Sequence, residues 1–374
     1  MNSKERIDAA VALERPDRVP VAPLLDHFAA TYSGITNAEL MTDGEKRIRA
    51  VLKTMKELGP WDMTFIADTA NADLLKFGVP CKILLPGKDL PANSIHQFDE
   101  RELLAPEDYD LLERVGVFRF LWGLIGRKYP ELKGLRAARP FIVTNMDFKR
   151  HVRMVRAAGA EVAAGFIHPG MLYDYFSLGR GIPAMSADTF KLQKKLISAG
   201  MVWARGMARI AILSSKLCGV PRIFIGMARC SPEFLSRANF EKLVLTGLDY
   251  TVREFIAHGI TPLFHCDTNW TKFFEIFRRF PEKKCILELD GRSDIFKAKE
   301  VLGDRMCIMG DVPAALLAAG TKDEVLSYCR RLILEVGKGG GFILSSGCSI
   351  PANARVENVR ALMESAEEWG RYSL

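Results

Sequence analysis

No run of eighteen apolar residues occurs in the chain, and its opening Met1-Asn2-Ser3-Lys4-Glu5-Arg6 lacks the apolar stretch of a signal peptide. The pattern therefore predicts neither a membrane span nor a secretory leader. None of the eight cysteines forms a Cys-x-x-Cys pair or a disulfide-like ladder, so a reduced, cytoplasmic protein is expected. There is no Gly-x-Gly-x-x-Gly and no P-loop. The glycine-rich stretch at 337–341 joins a helical pattern to a strand pattern, whereas a phosphate loop follows a strand and opens a helix. It reads as a turn on residues that tolerate positive φ. No Lys/Arg block is long enough for a nucleic-acid tract, the net charge is only +7, and the 9% of aromatic residues form no stacking stripe.

The 374 residues are 48% hydrophobic and 26% charged, enough for a large core in one large domain or two average ones. Short apolar runs are spaced by longer helical patterns, which argues βα units and a parallel sheet. The strand candidates are 19–25, 63–67, 141–145, 162–167, 222–227, 262–266, 285–289, 306–310 and 342–346. A closed eight-stranded barrel needs one fewer, and 141–145 is taken as the extra one. Helices are expected at 3–13, 37–58, 191–217, 239–258, 270–279, 293–302, 322–337 and 354–369. The Pro- and Gly-rich stretch 75–110 reads as an excursion from the scaffold, possible as a hairpin lid. No linker separates two halves. The expected fold is α/β, a TIM-like (β/α)8 barrel in a single domain over 1–374, with 1–18 as an N-terminal helical extension.

In such a barrel the C-terminal ends of the strands converge on one mouth, where the chemistry is done. Those ends carry Asp26 and His27, Asp68 and Asn71, His168, Arg229, His265 and Asp267, Glu288 and Asp290, Asp311, and Ser346 and Cys348. Asp290, Asp294 and Asp311 are accounted for as helix caps, and His168, before Pro169-Gly170, as a turn residue with a possible ligand role. His265 and Cys348 are not favoured caps. Side chains alternate along a strand, so Leu263, His265 and Asp267 share one face while Phe264 and Cys266 point to the other. Alone, a His-x-Asp pair is more often hydrogen-bonded than metal-binding. Glu288 and Cys348, ending two later strands, complete a plausible zinc donor set with His265 and Asp267. Cys266 is expected to pack behind this face. Asp68 and Asn71 are the candidate catalytic residues outside it.

Four stretches carry a family resemblance: Arg15-Pro16-Asp17-Arg18-Val19-Pro20-Val21, Pro262-Leu263-Phe264-His265-Cys266-Asp267, Gly310-Asp311-Val312-Pro313-Ala314-Ala315-Leu316-Leu317, and Leu344-Ser345-Ser346-Gly347-Cys348-Ser349-Ile350-Pro351. They make the chain resemble the uroporphyrinogen decarboxylase superfamily, and within it the zinc methyltransferases that work with corrinoid proteins. The resemblance implies a TIM-like barrel, a bound zinc ion, and transfer of a methyl group between a small substrate and a methylcorrinoid (cobalamin) carried by a partner protein. In that branch zinc is held by a His-x-Cys pair, a later Cys and, in some members, a Glu on the intervening strand. The match puts His265, Cys348 and Glu288 in those roles, with Asp267 standing where those members have Cys. An oxygen donor is harder than thiolate and suits a Lewis acid acting on an oxygen-bearing substrate. The decarboxylase branch carries an Arg-rich segment after the first strand to clamp carboxylates, and residues 22–35 contain no Arg.

Overall fold

A computed structural model of the chain describes residues 1–66 and 71–372. Its centre is a closed parallel barrel. One six-stranded ladder runs Phe342–Ser346, Cys307–Val312, Ile286–Leu289, Thr261–Cys266, Arg222–Met227, Ile167–His168, and a second pairs Glu161–Val162 with Met63–Thr64. Glu161–Val162 and Ile167–His168 are two ends of one strand, interrupted at Gly165. A side chain at Gly165 would meet the Cys218 sulfur at 2.8 Å. Residues 19–25 close the ring. Val21 bridges Leu344 in parallel and Leu24 bridges Ser349, while Val21 O accepts the Asp62 amide at 2.9 Å. Pro20 and Pro23 lack an N–H, which limits this segment to isolated bridges.

The inner faces carry Ala22, Leu24, Met63, Phe224, Leu263, Ile286, Cys307, Met309 and Ile343, packed as a small core of their own. Ile7, Ala10 and Val11 of the helix Ser3–Val11 join the same cluster, so this helix plugs the N-terminal end of the barrel. The outward faces, including Phe264, Cys266 and Leu287, pack with the surrounding helices in a larger core. Cys266 therefore lies in the layer behind His265.

The apolar run 141–145, taken as the surplus strand, lies inside the helix Ala138–Ala157. Its three apolar residues, Phe141, Ile142 and Val143, are too short a run for any periodicity to separate strand from helix. The expected helix at 37–58 is two, Asn37–Thr42 and Gly44–Leu58, because the Asp43 side chain accepts from Lys46 N and restarts the chain. The helix Glu107–Lys128 went unread because its periodicity breaks at Gly116, at φ 75°. Within 75–110, Lys82–Leu84 and Gln97–Asp99 pair as an antiparallel hairpin. One helix among the described residues, Gln193–Cys218, is long and apolar enough to cross a membrane by length and composition, although no single apolar run marks it. It buries Trp203, Ala204, Met207 and Ala211 in the core.

The N-terminal end is clamped through Asp62, which is 1% exposed. Its carboxylate accepts from Arg6 at 2.6 Å, Arg18 at 2.6 Å, Ser3 at 3.0 Å and the Val21 amide at 2.9 Å. Removing it takes the carboxylate partner from Arg18 and leaves Arg6 with the Asp17 carboxylate alone. Asp62→Ala is expected to cost roughly 3–5 kcal/mol in urea unfolding, the range for a broken buried pair. A loss under about 1 kcal/mol, typical of an exposed pair, would show that water replaces the clamp.

Candidate metal centre

Parallel register sets His265 directly beside Glu288 on the neighbouring strand, both pointing into the barrel. The imidazole is engaged at each nitrogen. Nδ1 lies 2.8 Å from Glu288 Oε2. Nε2 lies 3.2 Å from Asp267 Oδ1 and 3.7 Å from Cys348 Sγ. The ring stacks on Phe224 with centroids 4.8 Å apart. One donor atom each from His265, Asp267 and Cys348 lies within 4.8 Å of the others, a grouping that can hold a metal ion. Tetrahedral zinc with ordinary bond lengths needs N to O near ~3.3 Å and N to S near ~3.5 Å, and the observed separations fit.

Glu288 does not join that group. It stands on the far nitrogen with no solvent exposure, and its second oxygen has no hydrogen-bond partner among the described residues. The sequence predicts Glu288 among the metal donors; sharing a strand face with His265, it lies at Nδ1, while the donor group gathers at Nε2. Cys348 is half-buried, and Gly347 puts it there. A Cβ at 347 would lie 2.5 Å from Asp290 O, so only glycine allows the last strand's end to lie this close to its neighbour.

Electrostatically the group is coupled. Burial disfavours a charge on His265, but Asp267 and then Glu288 outweigh it and hold the imidazolium well above its ordinary range. Burial pushes Asp267 up, and the charge and hydrogen bond of His265 more than reverse it. For Glu288 burial prevails and its carboxyl is raised. An imidazole whose charged form is favoured by two carboxyl groups, one shifted down by it and one held up by burial, is what these directions describe.

The remaining strand ends fall into place around it. Asp68 lies outside the described residues. Asn71 caps the helix Ala72–Gly78, its side-chain oxygen accepting from the Asp73 and Leu74 amides, which leaves only its amide NH2 for a ligand. His168 points outward instead of into the mouth. It is fully buried near the Phe255 ring, with both nitrogens unpartnered among the described residues, and burial lowers its pKa to about 3. Asp294 caps a helix as expected, but Asp290 and Asp311 do not. Asp290 accepts from the amides of Thr268 and Arg292 and ties two mouth loops together. Asp311 accepts from the Tyr328 hydroxyl at 2.8 Å.

Two pairs tie the hairpin excursion to the mouth. His27 faces Asn37 at 3.0 Å and His96 at 3.2 Å, and Arg229 donates to Glu100 at 2.6 Å. His96, unread in the sequence for want of any spacing that links it to residue 27, is held neutral by burial and then by His27, down to about 4.

The class defined so far is a parallel βα barrel with a possible metal site at its C-terminal mouth. Residues 219–369 match the family described as uroporphyrinogen decarboxylase (URO-D). Across 98% of this chain and 99% of the other, the structure superposes on a methyltransferase from Methanosarcina mazei with a TM-score of 0.72 and 18% identity. A GH20 catalytic module of the pneumococcal exo-beta-D-N-acetylglucosaminidase StrH is also similar, at TM-score 0.47 and 8% identity, over 94% of this chain and 83% of that one. No curated protein matches. The resemblance to the uroporphyrinogen decarboxylase superfamily is thus borne out, and the fold is that of the Methanosarcina protein.

Burial raises Asp311 to about 7, although the Tyr328 hydroxyl works against the shift. Between pH ~4 and ~7 the folded chain then keeps a proton that the unfolded chain has released, so this group makes stability fall as pH rises. Asp311→Asn is expected to flatten that part of the profile of urea midpoint against pH. An unchanged slope would place the proton elsewhere.

Proposed function

We propose that this protein is a zinc-dependent methyltransferase that moves a methyl group between a small substrate and a corrinoid protein. The observation that carries the reading is the cluster of His265 Nε2, Asp267 Oδ1 and Cys348 Sγ, backed by Glu288 on Nδ1. Zinc bound there would act as a Lewis acid that stabilises the anionic form of a substrate thiol or alcohol at neutral pH. Glu288 orients the imidazole by accepting a hydrogen bond from its Nδ1–H, the usual carboxylate–histidine support of a metal ligand. Asp267 supplies oxygen where thiolate is found in the resembling branch, which favours an oxygen-bearing substrate over a thiol. Three side-chain donors leave a tetrahedral ion one position for that substrate. The eight cysteines are free thiols, and we place the reaction in the cytoplasm.

Porphyrinogen decarboxylation is the weaker reading. Residues 22–35 offer no Arg, and the guanidinium of Arg229 at the mouth is already paired with Glu100.

Protein purified without added metal should contain about one equivalent of zinc, and His265→Ala or Cys348→Ala should lose it. Equal metal in all three by elemental analysis would end the proposal. Glu288→Gln should keep the site but weaken zinc binding about 10–100-fold, the usual effect of losing such a support. Binding also needs His265 to give up the proton that its two carboxylates hold. Affinity should therefore weaken as pH is lowered, by up to about tenfold per unit for one proton. A pH-independent affinity would place the ion away from His265.

A further inference from the structure

Residues 114–156 hold eleven Lys and Arg against two acidic residues, more than the net +7 of the whole chain, so the remainder is slightly acidic. Within this segment Phe118, Leu135, Phe141, Ile142, Val143 and Met146 are exposed, Leu135 at 89% and Met146 at 68%. Phe118 and Phe141 share one aromatic cluster through Trp122. Phe118 stacks near Trp122, and Trp122 meets Phe141 edge-on. Ile142 and Met146 follow one turn apart on a helix. Arg119, Lys133, Arg136 and Arg139 lie exposed among them and form no ion pair among the described residues.

The patch stands at the mouth. The helices Gly44–Leu58 and Ala138–Ala157 each end about four residues before the strand they feed, so both run from the mouth back toward the N-terminal ends of the strands. Gly44 lies level with Asp147 and His151, 3.2 and 3.4 Å from a Cβ placed on it. Residues 138–143 therefore lie beyond the start of the neighbouring helix, Ala138 by nine residues counted from Asp147, or roughly 13 Å at 1.5 Å per residue. Phe141 also packs against Phe77, which belongs to the helix that follows the second strand's mouth end.

We propose that this overhang is the landing surface for the corrinoid-carrying partner, and that the partner's face is acidic around an apolar centre. The inference rests on the methyl-transfer reading, which requires a macromolecule to approach this mouth. Its chemistry is that of a protein interface: aromatic residues and Met at the centre, Arg predominating over Lys around them. A second copy of the chain would bring like charges together if the patch met itself.

The test takes each corrinoid-binding protein of the source organism, purified and loaded with hydroxocobalamin, and titrates it against the wild type, Arg136→Glu/Arg139→Glu and Ile142→Glu. One carrier is expected to bind the wild type, and each variant should weaken it at least about tenfold, with added salt weakening the wild-type complex too. Zinc content and circular dichroism of the variants report that they are folded. A carrier that binds the variants as well as the wild type, or no carrier binding at all, overturns the surface. So does binding to phosphatidylglycerol-containing vesicles, absent with phosphatidylcholine alone and lost in the same variants, which would assign the patch to a membrane. The zinc content of the wild type, measured alongside, separates the two readings: a wild type without zinc sinks the methyl-transfer reading, whatever the docking result.

Discussion

A carboxylate with no exposure to solvent, Glu288, holds Nδ1 of His265 at 2.8 Å inside the barrel, and the geometry of the mouth follows from that contact. Two buried ionisable groups on adjacent strands are tolerable only as a pair, because each offsets the desolvation of the other. With one nitrogen taken, the ring is fixed about its own axis and presents Nε2 to the mouth, where Asp267 and Cys348 meet it. Phe224 stacks against the ring face and blocks rotation from the side. The register of two parallel strands thus decides which nitrogen faces a ligand.

The two ends of the barrel are built for opposite tasks. At the N-terminal end Asp62 gathers Arg6, Arg18 and the Val21 amide, and the first helix closes the opening with apolar side chains. Nothing there is arranged to change. At the C-terminal end the polar groups are less fully satisfied. Glu288 keeps an unpartnered oxygen among the described residues, and Asp311 holds its proton to about 7. Unsatisfied buried polar atoms and displaced pKa values gather where a site must bind something else. The hairpin is fastened over this end by His27 with His96 and by Arg229 with Glu100.

The substitution of Asp for a second thiolate donor ties the local chemistry to the wider surface. A harder, less electron-donating ligand set leaves more of the ion's charge to act on a bound oxygen. Away from the donors, Arg139, Phe141, Ile142 and Val143 at the start of the helix Ala138–Ala157 are exposed and join basic to apolar surface.

Much of this was legible in the chain because it rests on local periodicity. Alternation along Thr261–Cys266 separated His265 from Cys266, and apolar runs divided by helical patterns pointed to a parallel barrel with one strand too many. The helix Glu107–Lys128 escaped because Gly116 breaks its period, and the run at 141–145 misled because three apolar residues in a row fit either element. Tertiary structure alone decided that Glu288 supports the histidine from behind, that Asp311 and Asp290 hold side chains and loops instead of capping helices, that His168 turns away from the mouth, and that His96 reaches His27 across sixty-nine positions. The physical reason is the same in each case. A residue's type and its strand face are set by its near neighbours, but which atom it meets depends on the register of chains brought together from far apart.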